Sequence, residues 1–127
     1  MLRGAFIGFG NVAAKGHLPG WQSVKDVQII AATDVVATQR KAFLEACPAA
    51  RWYESVDALL SDKTLDFVDI CTPPSSHPGL IKRALDVHLH ILCEKPLATR
   101  IEDAQAIAAA AAGSGRAMLV RCRSIGG

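Results

Sequence analysis

The sequence predicts an α/β fold with a doubly wound, mostly parallel sheet. Three observations support this: short apolar runs recur along the chain, stretches with helical spacing separate them, and glycines or prolines follow several of the runs. Near-continuous apolar runs suit strands covered on both faces, and alternating strands and helices favour right-handed βαβ units. Ligands of such sheets bind beyond the carboxyl ends of the strands, so functional residues are expected directly after the runs.

Five apolar runs are predicted to be strands, and one shorter segment is a candidate extra strand. The five runs cover residues 4–8, 27–33, 67–71, 90–93 and 117–120, and the extra strand covers 51–53. Their length suits strands, whereas the segments between them show the wider spacing of helices. A single domain spanning residues 1–127 is expected from this pattern and from the chain length.

Helices are predicted in the segments between the runs, at 36–47, after residue 55, at 76–88 and after residue 99. Ser55 can cap the second of these helices. Thr99 and Glu102 form a T-x-x-E capping box before the alanine-rich helix, and Gly113 and Gly115 can end it.

Composition excludes several classes of protein. Half the 127 residues are apolar, a fifth are charged and the formal net charge is +2, with basic residues scattered, so neither nucleic acid nor a membrane surface is an expected partner. No apolar run approaches the roughly 20 residues of a membrane span. Because Gly8 and Gly10 interrupt the first apolar run, a signal peptide is not expected.

The cysteines indicate a reducing compartment. The four, Cys47, Cys71, Cys93 and Cys122, form no Cys-x-x-Cys pair, which argues against a zinc or dithiol site. We expect reduced, buried side chains in a cytoplasmic protein, and no metal.

A glycine pattern follows the first run. Residues 8–13 read G-x-G-x-x-A, with Gly8 and Gly10 as the glycines and Ala13 as the small third residue. The first glycine permits a tight turn, the second lets the backbone approach a pyrophosphate, and the helix N-terminus offers free N–H groups to the phosphates. Glycines also occur in ordinary turns. The pattern indicates a phosphate-binding turn because a predicted strand precedes it and a predicted helix follows it.

An acidic residue follows the second run. Asp34 lies 21 residues beyond Ala13, where a carboxylate can accept hydrogen bonds from the ribose hydroxyls of an adenosine. The alternative is a solvated loop aspartate or a cap for the next helix. Together the glycines and Asp34 predict a dinucleotide site.

The third and fourth runs also end in chemically suggestive residues. Thr72 and Pro73 begin a loop that prolines stiffen and that reaches His77. His77 is a candidate functional residue, and the alternative is that this segment is only a turn with a helix cap. Glu94 and Lys95 follow the fourth run. Lys95 could bond a substrate oxygen or transfer a proton, and Glu94 could hold that ammonium or contact a ribose. The alternative is a surface ion pair worth about 1 kcal/mol or less.

These segments resemble a known family. "GAFIGFGNVAAKGHLPGW", "ATD", "DICTPPSSHPGLIKRAL" and "ILCEKPLA" are similar to the N-terminal half of the Gfo/Idh/MocA oxidoreductases, named for glucose–fructose oxidoreductase and inositol dehydrogenase. The resemblance covers nearly the whole chain. It implies an NAD(P)-binding Rossmann fold, a nicotinamide cofactor, and a small-molecule substrate that is a sugar, inositol or related secondary alcohol.

The resemblance also implies residue roles. Gly8, Gly10, Asn11 and Val12 would line the pyrophosphate site, Asp34 the adenosine ribose, Thr72, Pro73 and His77 the nicotinamide half, and Glu94 the nicotinamide ribose. Lys95 would be the catalytic residue, reaching the reacting oxygen of the substrate. NAD is expected rather than NADP, because a carboxylate at Asp34 would repel a 2′-phosphate.

The chain departs from the family pattern in three places. Val87-His88-Leu89 replaces the turn in which members have glycine, and Arg123 only loosely matches the arginine that follows the last strand in members. The 127 residues do not extend into the family's second domain, which carries a catalytic aspartate and histidine, and both a fragment of a longer chain and a short protein stay open. Alone, the chain is therefore expected to bind cofactor weakly, to lack much of the catalytic site and to form a homo-oligomer through exposed apolar surface.

Two other interpretations stay open at this point. The chain could be a non-enzymatic nucleotide-binding or sensing module that pairs with another chain. It could also be an α/β domain whose glycines are structural, in which case it binds no nucleotide.

Overall fold

A six-stranded parallel sheet forms the centre of the protein in the computed structural model, which describes residues 1–121. Its strands are β1 (Leu2–Ile7), β2 (Val27–Thr33), β3 (Arg51–Trp52), β4 (Phe67–Ile70), β5 (His90–Glu94) and β6 (Met118–Arg121). The spatial order is β3-β2-β1-β4-β5-β6, and every neighbouring pair is parallel. The chain therefore winds in one direction from β1 and in the other from β4. A ligand crevice is expected at the carboxyl ends of these two strands.

Helical segments connect the strands. They are a π-helical segment (Val12–His17), α1 (Leu18–Gln22), α2 (Gln39–Ala46), α3 (Val56–Leu60), a short 3-10 turn (Pro74–Ser76), α4 (His77–Asp86) and α5 (Ile101–Ser114). None of the helices described is both long and apolar enough to cross a membrane.

Hydrophobic clusters cover both faces of the sheet. Neighbouring residues of β1 point to opposite faces, so Ala5 and Ile7 join a cluster with α3, α4 and α5, whereas Phe6 joins one with the π-helical segment and α2. Two-sided burial explains why the strands read as apolar runs rather than as alternating patterns. The predicted doubly wound α/β fold is confirmed.

Local sequence signals located most elements correctly. The predicted strand at 27–33 matches β2, and the short strand at 51–53 is present as β3. Ser55 caps α3 as predicted, because its Oγ accepts a hydrogen bond from the Ala58 N–H at 3.0 Å. The helix predicted at 36–47 is shorter and begins at Gln39.

The predicted capping box at Thr99 and Glu102 is wrong. Helix α5 has Arg100 as its N-cap and no side-chain capping bond. The Glu102 carboxylate lies 3.5 Å from the Arg100 guanidinium instead, so it does not reach back to the N-cap backbone. A capping box needs the acidic residue three positions after the cap, and Glu102 is only two positions after Arg100.

Two left-handed residues end helices. Gly115, with φ of 72°, is the C-cap of α5, whereas Gly113 lies inside that helix and does not end it. After α4, His88 adopts φ of 63°. His88 therefore occupies a left-handed conformation that favours glycine, without glycine's conformational freedom.

One part of the sheet presents an open apolar face. A shallow depression there is lined by the apolar side chains of Leu2, Trp21, Phe67, Leu92 and Leu119. Leu119 is 65% exposed and Leu2 49%, which is high for strand leucines.

Candidate cofactor site

A crevice of about 660 Å³ lies at the carboxyl edge of the sheet, between the ends of β1, β2 and β4. Its lining includes Gly8, Gly10, Asp34, Thr72 and Pro73, five of the residues selected from the sequence. The register explains why they meet. Ile7 pairs with both Thr33 and Ile70, so the residues that follow these three strands start at the same level.

The glycine turn has two different requirements. Gly8 has φ of 90°, and a Cβ there would lie 2.9 Å from the Cys71 carbonyl oxygen, so only glycine fits. Gly10 is different, because a Cβ there would meet nothing within 4 Å. The backbone at Gly10 therefore faces free space of the kind that a pyrophosphate needs for close approach. Asn11 and Val12 follow as exposed residues at the start of the π-helical segment.

Asp34 ties the crevice walls together. Its Oδ2 accepts a hydrogen bond from the Phe9 N–H at 2.7 Å, and its Oδ1 accepts one from the Val36 N–H at 2.9 Å. It does not cap the following helix, whose N-cap is Thr38. A carboxylate offers about four acceptor positions, so two remain for ligand hydroxyls. The carboxylate is thus already oriented by the glycine turn.

The loop after β4 is fixed by its own hydroxyl groups. Thr72 Oγ1 and Ser76 Oγ lie 2.6 Å apart, and Ser76 Oγ also donates to the Pro73 carbonyl at 2.6 Å. Pro73 is exposed at the crevice. These bonds hold one wall of the crevice in a defined shape.

His77 lies beneath the crevice rather than along it. Its ring has no exposed surface. Nε2 lies 2.8 Å from the Thr72 carbonyl oxygen, and Nδ1 lies 2.9 Å from the Pro96 carbonyl oxygen. The ring therefore links the loop after β4 to the turn after β5, and in this conformation it offers no free atom to a ligand.

Glu94 and Lys95 extend the same edge beyond β5. Ile70 pairs with Cys93, which brings Glu94 level with the residue after β4. The Glu94 carboxylate does not hold the Lys95 ammonium. Its Oε2 lies 3.1 Å from His17 Nε2, and its side chain is 17% exposed. Lys95 is exposed, and within residues 1–121 it forms neither a hydrogen bond nor an ion pair. Arg123, which loosely matches the arginine after the last strand in family members, lies outside the described residues, as does Cys122.

Behind Glu94 lies a buried network that sequence reasoning missed. His17 Nδ1 lies 2.7 Å from Asp69 Oδ2, which also accepts the Trp21 indole N–H at 2.8 Å. The Cys71 thiol donates to Asp69 Oδ1 at 3.3 Å. Asp69 is fully buried in the middle of β4. An acidic residue inside an apolar run was the available signal, because a buried carboxylate needs hydrogen-bond donors.

The network changes the proton affinity of its members. Burial alone would lower the pKa of His17, but the hydrogen bonds and charges of Asp69 and Glu94 outweigh it, so the pKa lies above the ordinary 6.5. Burial, reinforced by the charge of Asp69, raises the pKa of the Cys71 thiol, and burial raises that of Cys93 to about 12. Both thiols are therefore protonated near neutral pH and are poor nucleophiles.

His17, Asp69 and Cys71 also have the composition of a metal-binding group, with ligand atoms within 4.8 Å of one another. Their ligand atoms face each other at hydrogen-bond distances, however, and the Trp21 N–H points into the group. Donors and acceptors are matched within the network, which fits a hydrogen-bonded cluster better than a zinc site.

Comparison with known proteins agrees with this geometry. The family described as an oxidoreductase family with an NAD-binding Rossmann fold matches residues 2–122. A D-apiose dehydrogenase of Paraburkholderia graminis is 34% identical over 119 residues, which is 94% of this chain and 32% of the relative. The chain therefore spans about one third of the length of that relative.

Solved structures show the same fold. An oxidoreductase from Agrobacterium radiobacter, in complex with NAD+, L-tartaric acid and magnesium, has a TM-score of 0.89 and 31% identity over 94% of this chain and 35% of that one. A 3-ketoreductase from Actinomadura kijaniata, in complex with NADP and TDP-benzene, has a TM-score of 0.87 and 28% identity over 94% and 37%. The chain belongs to the Gfo/Idh/MocA family of oxidoreductases and has its NAD-binding Rossmann fold.

Proposed function

We propose that residues 1–127 are the cofactor-binding domain of a nicotinamide-dependent oxidoreductase that acts on a sugar, inositol or related secondary alcohol. The observation that carries the proposal is the crevice at the carboxyl edge, where the turn at Gly8 and Gly10 meets the oriented carboxylate of Asp34. The dehydrogenase relative and the two oxidoreductase complexes support the reaction class. A bound nicotinamide would supply the acceptor or donor of hydride.

The residues of the crevice fit such a cofactor. We assign Gly8, Gly10, Asn11 and Val12 to the pyrophosphate, Asp34 to the adenosine ribose, Thr72 and Pro73 to the nicotinamide half, and Glu94 to its ribose. The open space at Gly10 supports the first assignment. His77, which the resemblance also placed at the nicotinamide half, supports that half from beneath by bonding to the Thr72 carbonyl.

Lys95 is the proposed catalytic residue. Its side chain is exposed at the same edge as Gly8, and the described part of the chain gives it no ion-pair partner. An ammonium in that position can donate a hydrogen bond to the reacting oxygen of an alcohol or ketone and can exchange a proton with it. Further substrate contacts are proposed to come from sequence that corresponds to the two thirds of the relatives that these 127 residues do not match.

The same chain is proposed to prefer NAD(H) to NADP(H), although one related complex holds NAD+ and the other NADP. Asp34 can accept hydrogen bonds from ribose hydroxyls, whereas a 2′-phosphate would place negative charge beside it. Asp34→Ala should weaken NADH binding by about tenfold, as expected for loss of one hydrogen bond to a charged group. NADPH binding should weaken less, because the variant also removes negative charge from beside the 2′-phosphate, so the preference for NADH over NADPH narrows. Fluorescence titration with both cofactors measures this.

Lys95→Ala is the matched control for that titration, because it also removes a charged side chain from the carboxyl edge. It should leave the ratio of NADH to NADPH affinity unchanged, since Lys95 is assigned to the substrate. Equal or tighter NADPH binding by the wild-type chain would rule out the role given to Asp34. A changed ratio of NADH to NADPH affinity in Lys95→Ala would show that Lys95 contacts the cofactor and not only the substrate.

Two further properties are proposed from the surface and the cysteines. Self-association into a homo-oligomer is proposed through the open face around Leu2 and Leu119, which are 49% and 65% exposed. Sedimentation velocity tests this self-association, and a monomer at all concentrations would contradict it.

A cytoplasmic location is proposed because Cys47, Cys71 and Cys93 are free thiols, which suit a reducing compartment.

A further inference from the structure

The buried imidazole of His17 lies between the carboxylates of Asp69 in β4 and Glu94 at the end of β5, and the roles assigned above do not use it. We propose that His17 is a positioning residue that holds the Glu94 carboxylate at the nicotinamide end of the crevice, so that cofactor affinity depends on the protonation of His17. This inference rests on the proposed function for the place of the cofactor.

The geometry joins an inaccessible pair to an accessible group. The side chains of His17 and Asp69 are 1% and 0% exposed, whereas that of Glu94 is 17% exposed. His17 bonds to Asp69 through Nδ1 at 2.7 Å and to Glu94 through Nε2 at 3.1 Å. Glu94 is thus the one member of this trio with surface to offer a ligand. Its carboxylate is held from behind by a ring that cannot turn away without breaking the bond to Asp69.

Counting donors and acceptors locates the controlling proton. The Asp69 carboxylate accepts from the Trp21 N–H and the Cys71 thiol, so His17 Nδ1 is the third donor to it. Nε2 then faces the Glu94 carboxylate, and a hydrogen bond to that acceptor requires a proton on Nε2 as well. The imidazolium form of His17 therefore holds Glu94. When Nε2 loses its proton, two acceptors face each other and the contact is lost.

The direction of the pH effect follows from the groups around the ring. Asp69 faces the ring from within β4, Cys71 from just after β4, Glu94 from β5 and the uncharged Trp21 N–H from α1. Burial opposes the charged ring, but Asp69 and Glu94 outweigh burial and raise the pKa of His17 above 6.5. The contribution of the charged His17 ring to the free energy of unfolding is then complete below about pH 6.5, the pKa of histidine in the unfolded chain. It is lost as pH rises through the raised pKa of the folded state, and the hold on Glu94 is lost with it.

His17 also connects the segment after the glycine turn to Glu94. It is the last residue of the segment Val12–His17, whose first residue follows the glycine turn. One short helical segment therefore starts at the place assigned to the pyrophosphate and ends at the residue that holds Glu94. A change at His17 can act on Glu94 or on the turn, and the experiment has to separate the two.

The test compares binding of NADH and ADP by the 127-residue chain between about pH 6 and about pH 9. ADP has the adenosine and the pyrophosphate but lacks the nicotinamide and its ribose. His17→Gln should weaken NADH binding about tenfold and change ADP binding by less than about twofold, because one charge-assisted hydrogen bond is lost at the nicotinamide end alone. Wild-type NADH affinity should fall as pH rises, and the affinity of His17→Gln should not.

Trp21→Phe is the matched control, since it removes another donor to Asp69 without touching Glu94. It should preserve the pH dependence of NADH binding. Equal losses of NADH and ADP in His17→Gln would overturn the proposal and assign His17 to the phosphate turn. A pH-independent wild-type affinity would overturn it as well.

NMR titration of the His17 ring in the wild-type chain gives an answer that needs no cofactor. The ring should titrate above 6.5, and Glu94→Gln should lower its pKa; a value below 6.5 in the wild type, or no response to Glu94→Gln, would overturn the link to Glu94. If His17→Gln does not fold, the Glu94→Gln variant gives the same test of the pH dependence of NADH binding. If the wild-type chain binds neither NADH nor ADP, the proposed function is wrong, and so is the proposed dependence of cofactor affinity on His17. The NMR titration still shows in that case whether His17 contacts Glu94.

Discussion

Asp69→Ala is expected to lower the free energy of unfolding by about 3–5 kcal/mol, the range for removing one partner of a buried charge pair. The variant leaves the charged ring of His17 buried without its closest carboxylate, and it leaves the Trp21 N–H and the Cys71 thiol without their acceptor. Urea denaturation at pH 6 measures the loss. Because the pKa of His17 is raised, the loss should shrink as pH rises above that pKa and the ring becomes neutral.

Asp57→Ala is the matched control, since it removes the same kind of side chain from the surface. The Asp57 side chain is 87% exposed and pairs with Arg83. Such exposed pairs contribute between about zero and about 1 kcal/mol, so the variant should be nearly as stable as the wild type. A loss in Asp69→Ala as small as that in Asp57→Ala would show that the buried network does not stabilise the fold.

Gly8→Ala is expected to destabilise the fold by about 2–4 kcal/mol, from left-handed backbone strain and overpacking together. Gly8 has φ of 90°, and the added Cβ would lie 2.9 Å from the Cys71 carbonyl oxygen and 3.0 Å from Thr72 Cγ2. Neither neighbour can move freely, because the Cys71 N–H bonds to Ile7 and the Thr72 hydroxyl to Ser76. Urea denaturation again measures the change.

Gly10→Ala separates this effect from a general need for glycine in the turn. A Cβ at Gly10 would meet nothing within 4 Å, so the variant should change stability by less than about 1 kcal/mol. It should nevertheless weaken NADH binding, because the methyl group would occupy space assigned to the pyrophosphate. Similar losses of stability in both variants would contradict the different roles given to the two glycines.

The sheet could be predicted from the sequence because its signals are local. A strand covered on both faces reads as an apolar run, and the run at 27–33 coincides with β2 for this reason. The Ser55 cap was also predictable, since the bond spans three residues. The capping box at Thr99 failed because the start of α5 was set one residue later than the pattern suggested, and Glu102 paired with Arg100.

The crevice could be predicted in part. In a parallel sheet the residues after the strands meet at one edge, and Gly8, Asp34 and Thr72 do so. The partners of Glu94 could not be predicted, because His17 lies 77 residues from Glu94 and 52 from Asp69 in the sequence. No local pattern specifies such a contact. The neighbouring Lys95 was a natural candidate partner for Glu94, but consecutive residues of an extended chain point in different directions.

Amide chemical-shift mapping of the ¹⁵N-labelled chain during NADH titration tests the central claim most directly, namely that a nicotinamide dinucleotide binds at the carboxyl edge. The account predicts the largest changes at Gly10, Asp34, Thr72 and Glu94, which lie at that edge. Amides at the opposite ends of the strands, such as those of Val27 and Phe67, should hardly change. Changes centred on the amino ends of the strands, or none at saturating NADH, would contradict the account.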